Sequence, residues 1–344
     1  MSYHKLTLAR VIDETPDARS FVLDVPQDLA EGFAYRAGQF LTFRVAWEGG
    51  NLIRCYSLTS CPDTEKIWKV TVKRVEEGRI SNWFHDRLRV GDSLEVLPPT
   101  GRFVLREAAE PLLLFGGGSG ITPVISLVKS ALATSRRRIR LVYANRSRAG
   151  IIFEEELAGL ARTHADRFEL LHHLDDEQGF LGAAQVTDHV RGLPGAHCYL
   201  CGPGPFMEIV ERALRQEGVD SDRIFVERFE SSEQGEASNE GQLVAQTGTG
   251  SATRQVIVVH LNGKTHRVPW APGQSILRAV KDAGLDAPSA CEEGYCGSCA
   301  AKRVAGEVRM DVNDVFNEAE VREGWILTCQ GRPVGSGCEV RYDD

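Results

Sequence analysis

The order of apolar and polar positions divides the chain into three regions. Between residues 107 and 230, short apolar runs alternate with longer segments whose apolar residues recur at helical spacing. The strand-like runs are PLLLF, IRLVYAN, RFELLHH, AHCYLC and RIFVERF, and the helical segments include ITPVISLVKSAL, FEEELAGLARTHA and PFMEIVERALRQEG. Such alternation is typical of a parallel sheet covered by helices on both faces. This region is therefore predicted to be an α/β domain.

The regions on either side have different patterns. Residues 1–106 contain the strand-like runs QFLTFRV, IRCYSLTS and IWKVTVKRV between Gly and Pro turns, which predicts an antiparallel β-barrel. Residues 231–253 are rich in Gly, Ser, Gln and Glu and are predicted to be a flexible linker. In residues 254–344, apolar runs flank Asn262 and Gly263, and Ser275 precedes a helical segment that ends near Gly284. A hairpin followed by a helix predicts a small α+β domain.

Four cysteines in this last region have the spacing of metal ligands. Cys291, Cys296 and Cys299 form C-x4-C-x2-C and Cys329 follows at a distance, which is the spacing of plant-type 2Fe-2S ferredoxins. Glycines within the loop allow the backbone angles that wrapping a cluster requires. A structural zinc site is the alternative, although zinc usually takes its thiolates as two short pairs. The four thiolates are predicted to hold a 2Fe-2S cluster in a β-grasp ferredoxin domain.

The other cysteines give weaker signals. Cys198 and Cys201 form a C-x2-C pair, which is a spacing found in redox and metal sites. Their segment has the pattern of a strand and no second pair accompanies it, so we do not predict such a site. Cys55, Cys61 and Cys338 are expected to serve in packing.

A glycine-rich segment follows the first strand of the α/β region. PLLLF leads directly into GGGSGITP, residues Gly116–Pro123, and then into a predicted helix. Glycines let backbone amides approach a phosphate, and a helix N-terminus favours negative charge. The segment departs from G-x-G-x-x-G, and no acidic residue closes the second strand. It is predicted to be a dinucleotide loop, with a plain strand-to-helix turn as the alternative.

Five short motifs together resemble a known family. RCYS at Arg54–Ser57, GRIS at Gly78–Ser81, GGGSGITP, CGPGPFM at Cys201–Met207 and ERF at Glu227–Phe229 occur in the order of the ferredoxin-NADP reductase superfamily. With the cysteine spacing, the chain resembles the reductase components of oxygenase systems. Within these it is most similar to the 3-ketosteroid 9α-hydroxylase reductases and then to the phenylacetyl-CoA epoxidase reductases. The resemblance implies FAD, NAD(P)H, a 2Fe-2S cluster and a partner that is a Rieske or diiron terminal oxygenase or its ferredoxin.

The resemblance also implies roles for individual residues. Ser57 would hydrogen-bond flavin N5, Thr122 and Cys201 would lie beside the nicotinamide, and Glu227 would assist protonation of N5. A Glu227 carboxylate paired with Arg228 is the alternative. The other implied cofactor contacts are Arg54, Tyr56, Lys73, Gly78, Ile80, Ser81, Gly116, Gly117, Gly118, Gly120, Pro123, Arg146, Gly202, Pro203 and Phe229.

Three details stay open at this level. Arg146 and Arg148 would suit the 2'-phosphate of NADPH, whereas the steroid hydroxylase reductases use NADH, which we prefer. FAD is preferred to FMN, which the phthalate-type reductases carry with a similar motif. Phe229 ends the chain in the plant reductases but not here, so it either shields the flavin less tightly or is covered by the segment after it.

Composition excludes several function classes. The 344 residues carry a net charge of -8 and no basic block beyond Arg136–Arg138, so nucleic acid is not an expected partner. No stretch of 18 apolar residues occurs, so no membrane insertion is expected. Nine cysteines without a secretory signal indicate a reducing compartment, and we expect a cytoplasmic protein. A zinc-binding scaffold without enzymatic activity is the alternative of a different class. A further hypothesis is that residues 231–253 let the cluster domain face the flavin and then the partner.

Overall fold

The chain divides into two compact units, residues 2–229 and 230–344. The computed structural model describes residues 3–48, 50–229, 255–289, 292, 294, 297–313, 315–316 and 318–342. The predicted linker, residues 231–253, lies outside the described residues, so its role stays a prediction.

The first sheet of residues 2–229 is antiparallel, as predicted. Its strand order is β4-β3-β6-β1-β2-β5, and an isolated bridge between Leu58 and Val70 connects the two edge strands, so that the sheet closes into a barrel. Helix α1 (Arg79–Asp86) inserts Phe84 against Phe21 and Phe43 in the barrel core. The strands are β1 (His4–Thr15), β2 (Ala18–Asp24), β3 (Phe40–Trp47), β4 (Gly50–Ser57), β5 (Trp68–Lys73) and β6 (Ser93–Thr100).

The second sheet of this unit is parallel, with order β11-β10-β7-β8-β9. The predicted α/β fold is therefore confirmed. Strand β7 has β8 on one side and β10 on the other, so the strand order reverses between β7 and β10. Ligands of such sheets bind at the carboxyl ends of the strands at this point. The strands are β7 (Leu112–Gly117), β8 (Ile139–Asn145), β9 (Phe168–Leu174), β10 (His197–Gly202) and β11 (Ile224–Arg228).

Helices cover both faces of the parallel sheet. One face packs into a core with α2, which is buried from residue 121 to 132, and the other packs with α5 and α6. Helix α5 is not predicted by the sequence pattern, because its apolar positions are few. The helices are α2 (Ile121–Thr134), α3 (Glu154–Thr163), α4 (Asp175–Gln178), α5 (Ala183–Arg191) and α6 (Gly204–Gln216).

Residues 230–344 contain a third, mixed sheet with order β13-β12-β16-β14-β15. The predicted hairpin turns at Asn262 and Gly263, which have φ of 54° and 69°. The predicted helix α7 (Ile276–Asp282) begins after Ser275, whose Oγ accepts a hydrogen bond from the amide of Arg278. The other elements are β12 (Gln255–Leu261), β13 (Lys264–Trp270), β14 (Ala300–Met310), α8 (Glu318–Arg322), β15 (Trp325–Leu327) and β16 (Gly331–Arg341).

Among the described residues of both units, no helix has the length and the apolar character that crossing a membrane requires.

Candidate functional site

Ser57 lies at the end of β4, and its hydroxyl is a buried polar group. The residue is 3% exposed, and its Oγ has no hydrogen-bond partner among the residues that the structure describes. A buried hydroxyl without a partner costs about 1–3 kcal/mol, so a native fold that keeps one needs an explanation. A ligand that hydrogen-bonds this hydroxyl supplies one, and a flavin held at this end of β4 fits the requirement.

Arg54 and Tyr56 precede Ser57 on the same strand. The Nη1 atom of Arg54 donates a 2.8 Å hydrogen bond to the carbonyl of Ile53, which turns the guanidinium back along the strand. The Tyr56 ring packs edge-to-face on Phe84, with ring centroids 5.1 Å apart. The Tyr56 ring is thus fixed in place by the barrel core, and the barrel brings it and Arg54 to the same strand end as Ser57.

Helix α1 begins within the GRIS segment, at Arg79, three residues earlier than it would with Ser81 as its N-cap. Gly78 is the N-cap and Ser81 lies within the first turn, where its Oγ accepts a hydrogen bond from the amide of Val75 at 3.2 Å and donates to the carbonyl of Gly78 at 3.4 Å. Ser81 is therefore not the N-cap of α1. Ile80 is 1% exposed, so its side chain packs in the core and its backbone is what remains for a ligand.

Lys73, another predicted cofactor contact, ends β5. Its Nζ lies 3.4 Å from a carboxylate oxygen of Asp17, and both side chains are partly exposed. The pair belongs to the barrel surface, where ion pairs contribute little to stability.

The glycine segment of the α/β domain forms a compact turn. Strand β7 ends at Gly117, residues Gly118–Gly120 form one 3-10 turn, and α2 follows directly. A Cβ atom at Gly120 would lie 2.1 Å from the carbonyl oxygen of Cys201, so a side chain there would push the turn away from β10. Gly118 has φ of +52° with open space where a Cβ would point. The turn therefore presents bare backbone at the edge where dinucleotides bind.

Side chains around this turn hold it in place. Thr122 is 3% exposed, and its Oγ1 donates to the carbonyl of Ser119 at 3.0 Å. The hydroxyl of Tyr143 on β8 donates to the carbonyl of Gly118 at 3.1 Å. Gly116 and Gly117 are buried in β7, and Pro123 is buried in the first turn of α2. These two hydrogen bonds therefore fix the shape of the turn.

Cys201 and Glu227 meet this turn from the neighbouring strands. Cys201 is the register partner of Gly116 on β7 and of Glu227 on β11. Burial raises the pKa of Glu227 to about 8, and burial and the nearby carboxyl raise the pKa of the Cys201 thiol well above its ordinary value. Both groups are therefore protonated at neutral pH.

The expected alternative for Glu227, an ion pair with Arg228, is wrong. Arg228 pairs through Nη2 with Glu211 on α6. Successive side chains of a strand point to opposite faces, so Glu227 and Arg228 cannot share a face of β11. No ion pair involves Glu227 within the described part of the chain.

The CGPGPFM segment continues from β10. A Cβ atom at Gly202 would lie 3.0 Å from the Cα of Gly117, so the ends of β7 and β10 approach closely at the point where the strand order reverses. Pro203 is the N-cap of α6. Phe229 is 39% exposed and is the last described residue of its unit. The segment after it lies outside the described residues, so both alternatives for Phe229 stay open.

Arg146 and Arg148 follow β8, at the same edge of the sheet. Arg148 pairs with Glu154 at 2.8 Å, whereas no ion pair involves Arg146 within the described residues. The carbonyl of Arg146 accepts a hydrogen bond from the amide of Asp176, which connects the segments after β8 and β9. Arg146 is exposed and is the more available of the two cations.

Asn145 is a candidate that sequence reasoning did not single out. It closes β8, is 5% exposed, and its amide lies beside the Tyr143 hydroxyl, although its Nδ2 atom makes no hydrogen bond of ordinary geometry among the described residues. The signal was present in the sequence, since a polar residue closes an otherwise apolar strand next to the glycine turn. A ligand at the carboxyl edge of the sheet would supply an acceptor for this amide.

Two of the four predicted cluster ligands can be placed. Cys299 is 2% and Cys329 is 8% exposed, and Thr328 connects their segments because its amide and Oγ1 both donate to the carbonyl of Cys299, at 3.1 and 2.9 Å. Cys291 and Cys296 lie outside the described residues. Gly294 and Gly297 have φ of +99° and +70°, as the predicted cysteine loop requires.

The C-x2-C pair is not a redox site. Cys198 and Cys201 belong to hydrophobic clusters on opposite faces of the parallel sheet. Burial raises the pKa of Cys198 to about 12, and its thiol donates to the carbonyl of Ala196 at 3.7 Å. Cys198 therefore serves in packing, as expected.

Comparisons with known proteins agree with this architecture. Residues 5–105 match an oxidoreductase FAD-binding domain, residues 114–212 an oxidoreductase NAD-binding domain, and residues 259–334 a 2Fe-2S iron-sulfur cluster binding domain. The chain is 40% identical to the ferredoxin reductase component of 3-ketosteroid-9-alpha-monooxygenase of Rhodococcus rhodochrous, over 98% of this chain and 96% of that protein. The chain belongs to the family of oxygenase ferredoxin reductases.

Other members of this family are more distant. One subunit of the 1,2-phenylacetyl-CoA epoxidase of Escherichia coli is 31% identical, over 99% of this chain and 98% of that protein. The structure of phthalate dioxygenase reductase matches with a TM-score of 0.61 and 27% identity, over 98% of this chain and 97% of that one. The protein is thus an oxidoreductase that uses FAD, a nicotinamide dinucleotide and a 2Fe-2S cluster, and the cofactor predictions are confirmed to this level. The 2Fe-2S match favours iron-sulfur over zinc.

Proposed function

We propose that this protein oxidises NADH and passes the electrons one at a time to a Rieske-type terminal oxygenase. The observation that carries the proposal is the buried, unpartnered Ser57 hydroxyl in the same unit as the shaped glycine turn, because hydride transfer needs both a flavin and a nicotinamide site. When bound, FAD can accept two electrons together and release them one at a time, and the cluster can carry single electrons.

The barrel residues bind and orient the flavin in this proposal. The Arg54 guanidinium binds its phosphates, Tyr56 packs against its ring, and the amides at Gly78–Ser81 bind its pyrophosphate. Ser57 donates a hydrogen bond to N5, which gives the buried hydroxyl its missing partner. Lys73 is proposed as a further contact at the barrel surface.

The α/β residues bind and orient the nicotinamide dinucleotide. The backbone of Gly116–Gly120 holds its pyrophosphate, and Thr122 and Cys201 flank its ring. A neutral thiol suits this position because it allows a flat, uncharged ring to approach closely. Glu227, protonated at neutral pH, holds a proton beside Cys201.

NADH is proposed as the donor in preference to NADPH. The 2'-phosphate of NADPH carries two negative charges and is usually held by more than one cation. Arg148 is engaged by Glu154, which leaves Arg146 to bind such a phosphate. One exposed arginine gives weak discrimination, which supports NADH.

The cluster site completes the path within the chain. Cys299 and Cys329, which Thr328 holds near one another, are proposed to ligate the cluster together with Cys291 and Cys296. The proposed acceptor is the Rieske oxygenase of a steroid-like or aromatic substrate, because the relatives at 40% identity are named as reductase components of 3-ketosteroid-9-alpha-monooxygenase. A diiron oxygenase is the second candidate, supported by the 31% identity to the epoxidase subunit.

Reconstitution tests the proposal. The purified protein, NADH and either a Rieske 3-ketosteroid oxygenase or a diiron epoxidase are combined, and NADH consumption coupled to product is measured. The proposal expects coupled turnover with the Rieske partner and none when Cys329 is replaced by Ala. Coupled turnover with the diiron partner alone would overturn the proposed acceptor.

A further inference from the structure

Three polar side chains on one face of α2 reach across to the barrel. Ser126, Lys129 and Ser130 occur at spacings of three and four residues, so they lie on the same side of the helix. All three contact the segment that leaves β4, residues 60–65. This face is polar although α2 is buried from residue 121 to 132. Buried polar side chains need partners, and here residues 60–65 supply them.

The innermost of these contacts joins Ser126 to Ser60. The Oγ of Ser126 donates a 2.7 Å hydrogen bond to the carbonyl of Ser60, and both residues are 0% exposed. Ser60 is itself fixed to the barrel, because its Oγ accepts from the hydroxyl of Tyr35 at 2.7 Å and from the amide of Lys69 at 3.1 Å. The bond therefore connects α2 to a rigid part of the barrel.

Two further contacts continue the row away from the glycine turn. Lys129 is 6% exposed, and its Nζ lies 2.7 Å from Glu65 and 2.9 Å from Glu156 on α3. The Oγ of Ser130 donates to a carboxylate oxygen of Asp63 at 2.5 Å. The Lys129 ammonium is buried and both carboxylates are partly exposed, so desolvation offsets much of the attraction and the pairs add little net stability. Their short distances and the Ser130 bond nevertheless place this face of α2 directly against residues 63–65. The row therefore fixes the position of α2 against residues 60–65.

This position matters because both ends of the Ser126–Ser60 bond lie close in sequence to the proposed reacting groups. Ser60 is three residues after Ser57, and Ser126 is four residues after Thr122, about 6 Å along a helix that rises 1.5 Å per residue. One hydrogen bond thus joins the segment that follows the proposed flavin-binding strand to the proposed nicotinamide-binding helix. No other described side chain on α2 bonds to the backbone between residues 57 and 60.

We propose that Ser126 is a positioning residue that sets the approach of the nicotinamide to the flavin through Ser60 and Thr122. The inference rests on the proposed function of Ser57 and Thr122. Hydride transfer depends steeply on donor–acceptor geometry, and a displacement of about 1 Å can cost about 100-fold in rate. Loss of the Ser126 bond therefore slows the transfer without removing any group that contacts either cofactor.

The test compares Ser126→Ala with two matched variants of the full-length protein. Ser126→Thr keeps the hydroxyl donor. Ser135→Ala makes the same substitution at the residue that follows α2, where the hydroxyl donates to the carbonyl of Ala131, accepts from the amide of Arg137 and does not reach the barrel. Flavin reduction by NADH is followed in single turnovers, together with the long-wavelength absorbance that arises when a nicotinamide ring stacks on a flavin.

The proposal expects a specific pattern. Ser126→Ala reduces the flavin about 10- to 100-fold more slowly at saturating NADH, with the NADH dissociation constant within twofold and a weaker stacking absorbance. Ser126→Thr recovers most of the rate, and Ser135→Ala matches the unchanged protein. A Ser126→Ala variant with normal rate and absorbance, or one changed only in NADH affinity, would overturn the positioning role. If NADH reduces the flavin normally in the unchanged protein and in Ser135→Ala, the proposed function stands even when the positioning role of Ser126 fails.

Hydrogen exchange of the flavin-free chain gives a readout that does not depend on catalysis. If Ser126 anchors Ser60, the amides of residues 57–61 exchange faster in Ser126→Ala than in Ser135→Ala. Equal exchange in the two variants would contradict the anchoring contact, even if the Ser126→Ala protein bound FAD too weakly for kinetics.

Discussion

Cys201 and Glu227 face one another as register partners on the parallel strands β10 and β11, next to the glycine turn. The pKa of Glu227 is raised to about 8 by burial, and the thiol of Cys201 has a pKa well above its ordinary value. Two acids that stay neutral at pH 7 give this edge of the sheet an uncharged lining. Such a lining favours the uncharged ring of the reduced dinucleotide over the cationic ring of the oxidised one.

The raised pKa of Glu227 predicts a pH-dependent stability. Between pH 4.5, its ordinary value, and about pH 8, the unfolded chain releases the Glu227 proton and the folded protein retains it. The folded state binds more protons in this window, so its stability falls as the pH rises. Glu227→Gln removes this dependence, and the melting temperature of the unchanged protein should drop relative to that of the variant from pH 5 to pH 8.

Glu208→Gln is the matched control for this prediction. Glu208 is an exposed carboxylate on α6, so its substitution should leave the pH dependence as it is. A parallel pH dependence of Glu227→Gln and the unchanged protein would show that the Glu227 carboxyl ionises normally.

Ser57→Ala is expected to separate stability from reactivity. Because the Ser57 hydroxyl has no partner within the described residues, its removal should not lower the melting temperature of the flavin-free protein. Loss of one preorganised donor to a reacting atom typically costs about 100- to 1,000-fold, so flavin reduction should slow by about this factor or less. Thermal unfolding and stopped-flow reduction by NADH measure the two effects.

Ser60→Ala provides the contrast. The Ser60 hydroxyl accepts hydrogen bonds from the hydroxyl of Tyr35 and from the amide of Lys69. Its removal leaves both donors without this partner and should lower the free energy of unfolding by about 1–3 kcal/mol. The prediction for Ser57 fails if Ser57→Ala is destabilised as much as Ser60→Ala.

Arg146→Ala is predicted to act on NADPH rather than on NADH. A charge-assisted hydrogen bond contributes about 1.5–3 kcal/mol, so the KM for NADPH should rise about tenfold or more while that for NADH stays within twofold. Arg148→Ala is the control, because Arg148 is paired with Glu154 at the surface and should change neither value much. Steady-state kinetics with both dinucleotides decide this, and an equal loss for both would show that Arg146 does not contact the 2'-phosphate.

Cys329→Ala should remove the cluster and leave flavin chemistry intact. Cys338→Ala is the matched control, since Cys338 is buried in the same unit, has a pKa raised to about 11 and is not a predicted ligand. Iron and sulfide analysis should show loss for Cys329→Ala and retention for Cys338→Ala, with flavin reduction by NADH within twofold in both. Retained iron in Cys329→Ala would exclude this cysteine as a ligand.

The sequence predicted those features that depend on local chemistry. The three kinds of sheet, the Asn262–Gly263 turn and the glycine turn before α2 depend on periodicity and on backbone angles that few residues adopt. The cysteine spacing likewise reflects the local wrapping of a loop, and two of its glycines have the required positive φ.

Features that depend on distant partners could not be predicted in this way. Arg228 pairs with Glu211 rather than with its neighbour Glu227, because the two side chains leave β11 on opposite faces and α6 supplies the acid. The bond from Ser126 to Ser60 joins residues 66 positions apart, and nothing in either segment specifies the other. Such contacts depend on how elements are packed, which hydrophobic periodicity alone does not determine.

Anaerobic titration with NADH, followed by visible absorbance and electron paramagnetic resonance, tests the central claim most directly. In the proposed mechanism, electrons enter as hydride and leave one at a time through iron bound by Cys299 and Cys329. This mechanism predicts that the flavin absorbance bleaches and that a paramagnetic signal of a reduced 2Fe-2S cluster appears. Bleaching without any such signal, in protein whose iron and sulfide content matches one cluster, would contradict it.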